Sequence, residues 1–513
     1  MRQLIILFIV GLAISVSSCR EDFQFEPSTG DLTFSKDTVY LDTVFTNIGS
    51  STYTLKVYNK SDKDIKIPTI QLGRGQDSKY RITVDGMVGE NNRIFHDVEL
   101  LAKDSMYVFI EVTTDVALAN PTDFLYTDII EFRHANGEVQ DVDLVTLIQD
   151  AYFLYPRRFD DGTTETLPIG DDEVYGFFLD ENDPVNGNEY VWSNDKPYVV
   201  YGYAAVPDGK TLNVQPGARV HFHAESGLIV GSGGSLRVNG QLSTTEALEN
   251  EVIFEGDRLE PDFSDVPGQW GTIWLTDGST NNYIEHLTLK NAVIGLLIDH
   301  NDGTTTTIKN SQIYDCSNMG IYAKTAKIYG ENLVINSAGQ YALACTLGGS
   351  YEFKHCTFNN NWSSSQQLAV RIDNYYTDNT TNQEVAFDLE QANFYNCIIF
   401  GSNQIELFLD KSTVSPDTNW TAPIFSKCQI KFNNSNNQFT NNPDYAFLND
   451  TNEIIKNGTP DFLDIYNNKL FIGADSDAKE FGVDVGVPND ILGNLRNGVF
   501  DLGAYNSIVF PED

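Results

Sequence analysis

His286-Leu-Thr-Leu-Lys-Asn-Ala292, Asn310-Ser-Gln-Ile-Tyr-Asp-Cys316, Asn332-Leu-Val-Ile-Asn-Ser-Ala338, His355-Cys-Thr-Phe-Asn-Asn-Asn361 and Asn396-Cys-Ile-Ile-Phe-Gly-Ser402 align without a gap. The first four begin 24, 22 and 23 residues apart. Lys427-Cys-Gln-Ile-Lys-Phe-Asn433 fits more loosely. A period of this size predicts a solenoid, in which units stack because none buries its apolar face alone. The unit is a strand, since its second and fourth positions are mostly apolar or small, which is period two. The fourth column reads Leu289, Ile313, Ile335, Phe358, Ile399 and Ile430. The second reads Leu287, Ser311, Leu333, Cys356, Cys397 and Cys428. Residues two apart on a strand share a face, so both columns are expected to point inward.

The sixth position is Asn291, Asp315, Ser337, Asn360, Gly401 and Phe432. All but Phe432 tolerate a tight turn, so the chain is expected to turn a corner there. A second apolar stretch follows: Gly295-Leu-Leu-Ile298, Gly320-Ile-Tyr-Ala323, Leu368-Ala-Val-Arg-Ile372 and Ile405-Glu-Leu-Phe-Leu409. Parallel crossovers are right-handed in nearly all cases. The expected fold is all-β, with a right-handed parallel β-helix over residues 206–480.

The segments Thr211-Leu-Asn-Val-Gln-Pro-Gly217, Gly234-Ser-Leu-Arg-Val-Asn-Gly240 and Trp270-Gly-Thr-Ile-Trp274 open this region. They resemble the entry of the pectate-lyase-like β-helix superfamily. The ending Asp490-Ile-Leu-Gly-Asn-Leu-Arg496, then Asp501-Leu-Gly-Ala-Tyr505, resembles the close of many bacterial β-helix proteins. That resemblance implies a cap over the open last coil at 481–513, with Arg496 paired to Asp490 or Asp501. An exposed parallel edge invites pairing with other chains, so a cap is needed.

Before the repeats, strands alternate at Thr38–Val44, Tyr53–Tyr58, Tyr80–Val84, Ser105–Val112, Asp128–Phe132 and Val139–Val145. This spacing predicts a β-sandwich over 31–150. Phe45-Thr-Asn-Ile-Gly49 and Leu100-Leu-Ala-Lys-Asp104 within it resemble the immunoglobulin-like modules of bacterial surface proteins. Residues 151–205 read as an acidic linker and helix entry. Their clusters Asp160-Asp161, Asp171-Asp-Glu173 and Asp180-Glu-Asn-Asp183 are candidate calcium ligands, because hard cations want several carboxylate oxygens. They lack the Asp-x-Asp-x-Asp-Gly spacing, and a solvated acidic linker is the plainer reading.

Met1-Arg2-Gln3 and the 13-residue apolar run Leu4–Val16 form a signal segment over 1–18, too short to span a bilayer comfortably. Val16-Ser-Ser-Cys19 resembles a bacterial lipobox, which implies lipid attachment at Cys19 and a tether over 19–30. Arg20-Glu-Asp22 resembles the export signal of surface lipoproteins in the Bacteroidetes. The expectation is an outer-membrane lipoprotein facing the cell exterior, held to the membrane through Cys19.

Net charge is −39. Such an excess disfavours nucleic acid and other polyanionic partners, and it leaves room for divalent cations. Five cysteines remain besides Cys19. Cys356, Cys397 and Cys428 share one inward column, as free thiols or as a disulfide between neighbours.

Chemistry is sparse. Trp362, Arg371, Asp373, Tyr375 and Tyr376 form a candidate ligand surface, because aromatic rings stack on sugar faces and charged groups orient hydroxyls. Asp299-His300-Asn-Asp302 resembles the Ile-Asp-His motif of pectate lyases and is the weaker catalytic or metal candidate. No basic partner for it is apparent in the sequence, and the Gly-His-Gly motif of polygalacturonase-like hydrolases is absent. His221 and His223 share a strand face that is expected to be solvent-exposed, since Val220 and Phe222 read as inward. Three functions compete. The favoured one is a non-catalytic envelope protein binding glycan or a surface protein. The others are a polysaccharide lyase or glycoside hydrolase, and a purely structural envelope protein.

Overall fold

The gapless alignment of the repeats is the register of a parallel sheet. In the computed structural model, Leu289 lies opposite Ile313, Ile313 opposite Ile335, Ile335 opposite Phe358, Phe358 opposite Ile399 and Ile399 opposite Ile430. All six are buried, as are all six second-column residues. The structure describes residues 24–115, 125–170, 172–301, 303–362, 364–414 and 419–511. The signal segment and Cys19 lie outside them. The chain divides into two compact units, Met1–Asp150 and Ala151–Asp513.

The second unit is built on two sheets, one of 11 strands and one of 17. Pairing within them is parallel except between Thr166–Ile169 and Asp172–Phe178. The aligned strands form the smaller sheet. The second apolar stretches join the larger one, with Leu296 opposite Ile321, then Leu343, Val370 and Leu407 in turn. A third stretch per repeat, which the sequence alignment does not reveal, joins the same sheet. There Ile308 lies opposite Gly330, then Phe353, Phe394 and Phe425. In Met319–Glu331 and Tyr341–Lys354 the second and third stretches run on as one strand, with positive φ at Thr325 and Leu347.

Corners depend on residues that tolerate the left-handed region. His286, Asn310, Asn332, His355, Asn396 and Lys427, at the first position of each repeat, all have φ between 47° and 54°. At the sixth position, Asn291, Asp315 and Ser337 also have positive φ, whereas Asn360 and Gly401 do not. Asn360 uses its side chain instead, accepting the Ala338 N–H and donating to the Ala338 carbonyl.

The interior is an apolar ladder. Phe353 stacks on Phe394, Phe394 on Phe425 and Phe425 on Phe447, at centroid distances of 5.2, 4.9 and 4.7 Å. Cys316, Cys345, Cys356, Cys397 and Cys428 are free and buried. Cys397 and Cys428 donate to main-chain carbonyls at 3.3 and 3.4 Å, and burial pushes both thiols well above their ordinary pKa. The cysteine column therefore acts as small apolar filling.

The C-terminal segment does not cap the last repeat. That role falls to the 3-10 turn Pro443–Asn449, whose Tyr445 and Leu448 are buried in the ladder. The Tyr445 hydroxyl accepts the Leu409 N–H at 2.8 Å. Residues 481–506 instead run back across the repeats as a strap. Asn396 Nδ2 donates to the Val483 carbonyl at 2.7 Å, Arg496 Nη2 to Asn332 Oδ1 at 3.1 Å, and Tyr505 to Gln312 Oε1 at 2.9 Å. The reason is the first-position column itself, whose asparagine side chains supply hydrogen bonds along the flank. Arg496 is buried without an ion pair to Asp490 or Asp501, because those carboxylates accept backbone N–H groups such as those of Asn494 and Glu480.

The first unit holds two sheets around one core. Thr38–Phe45, Ile65–Leu72, Leu125–Arg133 and Val139–Gln149 belong to one sheet. Tyr53–Asn59, Tyr80–Val84 and Ser105–Val112 belong to the other. Val39, Ile67 and Phe132 from the first meet Leu55, Ile82 and Val108 from the second. The buried Tyr80 hydroxyl ties the sheets together by donating to the Tyr126 carbonyl at 2.8 Å.

Two predictions follow from the packing. Phe394→Ala removes the middle ring of the ladder and is expected to cost about 3–5 kcal/mol; an unshifted denaturation midpoint would refute the ladder's role. Glu406 is fully buried, with Oε2 accepting the Ala369 N–H at 2.8 Å and Oε1 the Asn403 N–H at 2.6 Å. Burial outweighs these donors and raises its pKa from 4.5 to about 8. The folded state thus keeps the proton that the unfolded chain loses above pH 4.5. Its contribution to stability is complete below that pH and is lost as pH rises through 8. Between pH 5 and pH 8.5 the melting temperature of the parent is expected to fall relative to that of Glu406→Gln, whose neutral amide cannot ionise. Parallel pH profiles would rule this out.

Candidate functional site

Strand alternation that buries Leu296 and Ile298 turns Leu297 outward, and the same holds at each repeat. Register then assembles an outer column. Phe178 lies opposite Ala205, followed by Ile229 and Trp274. Leu297, Tyr322, Ala344, Arg371 and Phe408 continue it without a break. Paired strands are about 4.8 Å apart, so this is a narrow stripe of rings and aliphatic groups crossing successive repeats.

Charged residues stand two positions after Leu297, Tyr322, Arg371 and Phe408 and flank the stripe there. Asp299 lies opposite Lys324, and Asp373 opposite Asp410. Lys324 Nζ is 2.6 Å from Asp299 Oδ2, and His300 Nδ1 contacts Asp299 Oδ1. Arg371 Nε donates to Asp373 Oδ2 at 2.8 Å and Nη2 to Asp410 Oδ2 at 3.2 Å. The Tyr375 hydroxyl donates to Asp410 Oδ1 at 3.2 Å. Arg371 also lies over the rings of Tyr341 and Phe408, and Lys324 over Tyr322. Burial raises the Asp373 carboxyl above its ordinary pKa, although the Leu347 N–H and Arg371 pull it down.

At the start of the stripe the strand Thr166–Ile169 folds over the outer face, and Leu167 packs on Ala205 and Ile229. This leaves a groove of about 510 Å³. Ala205, Ile229 and Trp274 line it together with Pro168, Ile169 and Phe178. An apolar trough beside fixed charges suits a ligand with one flat apolar face and a polar edge.

The structure brings Arg371, Asp373 and Tyr375 together: Arg371 binds both Asp373 and Asp410, and Tyr375 binds Asp410. Tyr376 stands beside them on the hairpin of Tyr375–Thr377 and Glu384–Ala386, with its ring 5.9 Å from that of Phe387. Trp362 does not join the group. It precedes the strand Leu368–Asp373, which Tyr375 follows, and its own contacts are with Asn360 and Ser402.

Asp299 and His300 are adjacent in space as in sequence, while Asp302 lies outside the described residues. Their basic partner is Lys324. Aligning Gly295 with Gly320 would have found it, since each charged residue stands four places after its glycine. Trp274, Tyr322 and Phe408 were hidden because the inward period-two pattern gives no reason to single out the residues between.

The histidine pair needs correcting. His223 is partly exposed and hydrogen-bonds Asp257 Oδ2 at 2.7 Å, which raises its pKa. His221 is buried rather than exposed, 3.2 Å from the Gly256 carbonyl, and burial lowers its pKa. Among the described residues, no group of three or more His, Cys, Asp or Glu side chains is placed to hold a metal ion.

No family model and no curated protein matches the chain. Among solved structures, the periplasmic chaperone SfaE is similar at TM-score 0.16 and 17% identity, over 23% of this chain and 58% of that one. The major pilin subunit BcpA of Bacillus cereus is similar at TM-score 0.16 and 9% identity, over 26% of this chain and 46% of that one. A GH87 alpha-1,3-glucanase catalytic domain in complex with nigerose is similar at TM-score 0.22 and 9% identity, over 74% of this chain and 82% of that one. Scores this low establish neither fold family nor function for this chain.

Proposed function

We propose that this chain is a glycan-binding protein of the bacterial cell envelope, and that its second unit holds an extended polysaccharide on its outer face. The observation that carries this reading is the unbroken outward column from Trp274 through Leu297, Tyr322 and Ala344 to Arg371 and Phe408. Rings stack on sugar faces, and the carboxylates beside them accept hydroxyl hydrogen bonds. A ladder of parallel strands repeats such contacts at a spacing of about 4.8 Å, comparable to the advance of a sugar chain.

Within this proposal the second unit is a right-handed parallel β-helix, supported by the in-step parallel pairing of successive repeats. Residues 31–150 form an immunoglobulin-like spacer. The lipobox-like Val16-Ser-Ser-Cys19 supports lipid attachment at Cys19 and display on the outer membrane. A surface-protein partner is an alternative occupant of the same face.

A second reading has its own observation. Asp299, at the edge of the groove, holds the His300 imidazole on one carboxylate oxygen and the Lys324 ammonium on the other. General acid and base chemistry needs groups so arranged, which favours a polysaccharide lyase or hydrolase.

A glycan array of the full chain, with and without calcium, tests the first reading, with product analysis of every hit. Binding without new reducing or unsaturated ends is expected. Trp274→Ala and Tyr322→Ala should each weaken binding by about fivefold to tenfold. Cleavage would replace this reading with the catalytic one, and silence across the array would leave the structural role. The anchor is tested separately. Cys19→Ala is expected to move the protein from the membrane fraction to the soluble fraction, and a variant still held in the membrane would refute it.

A further inference from the structure

We infer that the groove at the start of the outer face is a subsite for a protonated amino sugar, an inference that rests on the glycan reading above. Three carboxylates border it: Asp208, Asp277 and Asp299. Asp299 is already occupied by Lys324 and His300. Asp208 and Asp277 are exposed, and neither takes part in an ion pair among the described residues.

Stacked turns hold these two residues in place. Gly209 N–H donates to the Gly233 carbonyl at 3.2 Å, and Gly233 N–H to the Gly278 carbonyl at 2.8 Å. Gly233 has φ +72°, and a side chain there would collide with Asp208 Oδ1. The glycine therefore leaves room for that carboxylate at the groove's edge.

The charges on this face do not cancel. Among the described residues that line the groove there is no Lys or Arg, and the nearby Lys324 is bound to Asp299. A uronate or sulfate on the ligand would meet no free cation here and would face a chain of net charge −39. A protonated amine would meet an unpaired carboxylate, Asp208 or Asp277, in the groove that the Trp274 indole lines. Ammonium groups bind favourably over an aromatic face and next to carboxylates. The rings of Trp274 and Phe178, over a buried floor of Ala205 and Ile229, then take the flat face of the sugar ring. Neutral sugars fit the same floor but leave both carboxylates without a partner.

The test compares β-1,4-linked oligomers of glucosamine, N-acetylglucosamine and glucose, equal in length, by calorimetry with the full chain at pH 5.5. The glucosamine oligomer is expected to bind about tenfold tighter than the glucose oligomer. The margin should shrink as salt is raised. It should vanish in the double variant D208N/D277N, whose unchanged melting midpoint would show that it folds. Equal affinity for all three oligomers would overturn this inference and leave the glycan reading standing. Binding to none of them, with silence on the array, would overturn both. An amine preference that survives in D208N/D277N would place the amine elsewhere and overturn the assignment. Binding of oligolysine but not of the glucosamine oligomer would also overturn it, by pointing to a cationic protein.

Discussion

Parallel backbone pairing between one repeat and the next is the constraint on which the second unit depends. Each strand supplies its hydrogen bonds to the neighbour before and the neighbour after. A repeat cannot slip by one residue without turning its buried column outward. The register Leu289, Ile313, Ile335, Phe358, Ile399 and Ile430 therefore locks everything else. The Phe353, Phe394 and Phe425 ladder follows from it, as does the thiol column.

The outer face inherits the same order. Because inward residues are held in step, the residues between them are held in step too. A stripe running from Phe178 to Phe408 thus arises from residues more than two hundred positions apart, without any loop to position them. A site of this kind is rigid, linear and repetitive, which suits an extended polymer better than a small metabolite. Its charges lie in pairs across neighbouring strands, Asp299 with Lys324 and Arg371 with Asp410, so that the register that builds the core also builds the polar edge.

The last repeat and one flank of the stack are closed by local chemistry. The final repeat is closed by Tyr445, Leu448 and Phe447 from a short 3-10 turn, which continue the interior ladder by one more layer. The flank is closed by the strap that ends near Tyr505. Two of its hydrogen bonds go to the side chains of Asn396 and Asn332, at corners where the backbone has positive φ. One residue type thus serves two purposes: it tolerates the corner and it binds the strap.

Much of this was legible in the sequence, and the limits have physical causes. The aligned columns showed which residues are buried, because period two is a property of the strand itself. The sixth-position corners were partly legible. The first-position corners were not singled out, although the Asn and His column was present. The strand Ile65–Leu72 escaped because Pro68 interrupts its pattern. The third stretch of each repeat escaped because the aligned segments begin at the corner, although Ile308, Gly330, Phe353, Phe394 and Phe425 each stand two places before a first-position residue.

The sequence by itself determined the repeat, its strand character and the inward columns, since these depend only on residues a few positions apart. Tertiary structure alone decided that Trp274, Tyr322, Arg371 and Phe408 share one line and that Lys324 meets Asp299. It also decided that Trp362 stands apart, that His221 is buried, and that the C-terminal segment straps the flank instead of capping the end. Each of these depends on which strand lies beside which, and that relation exists only once the chain has coiled back on itself.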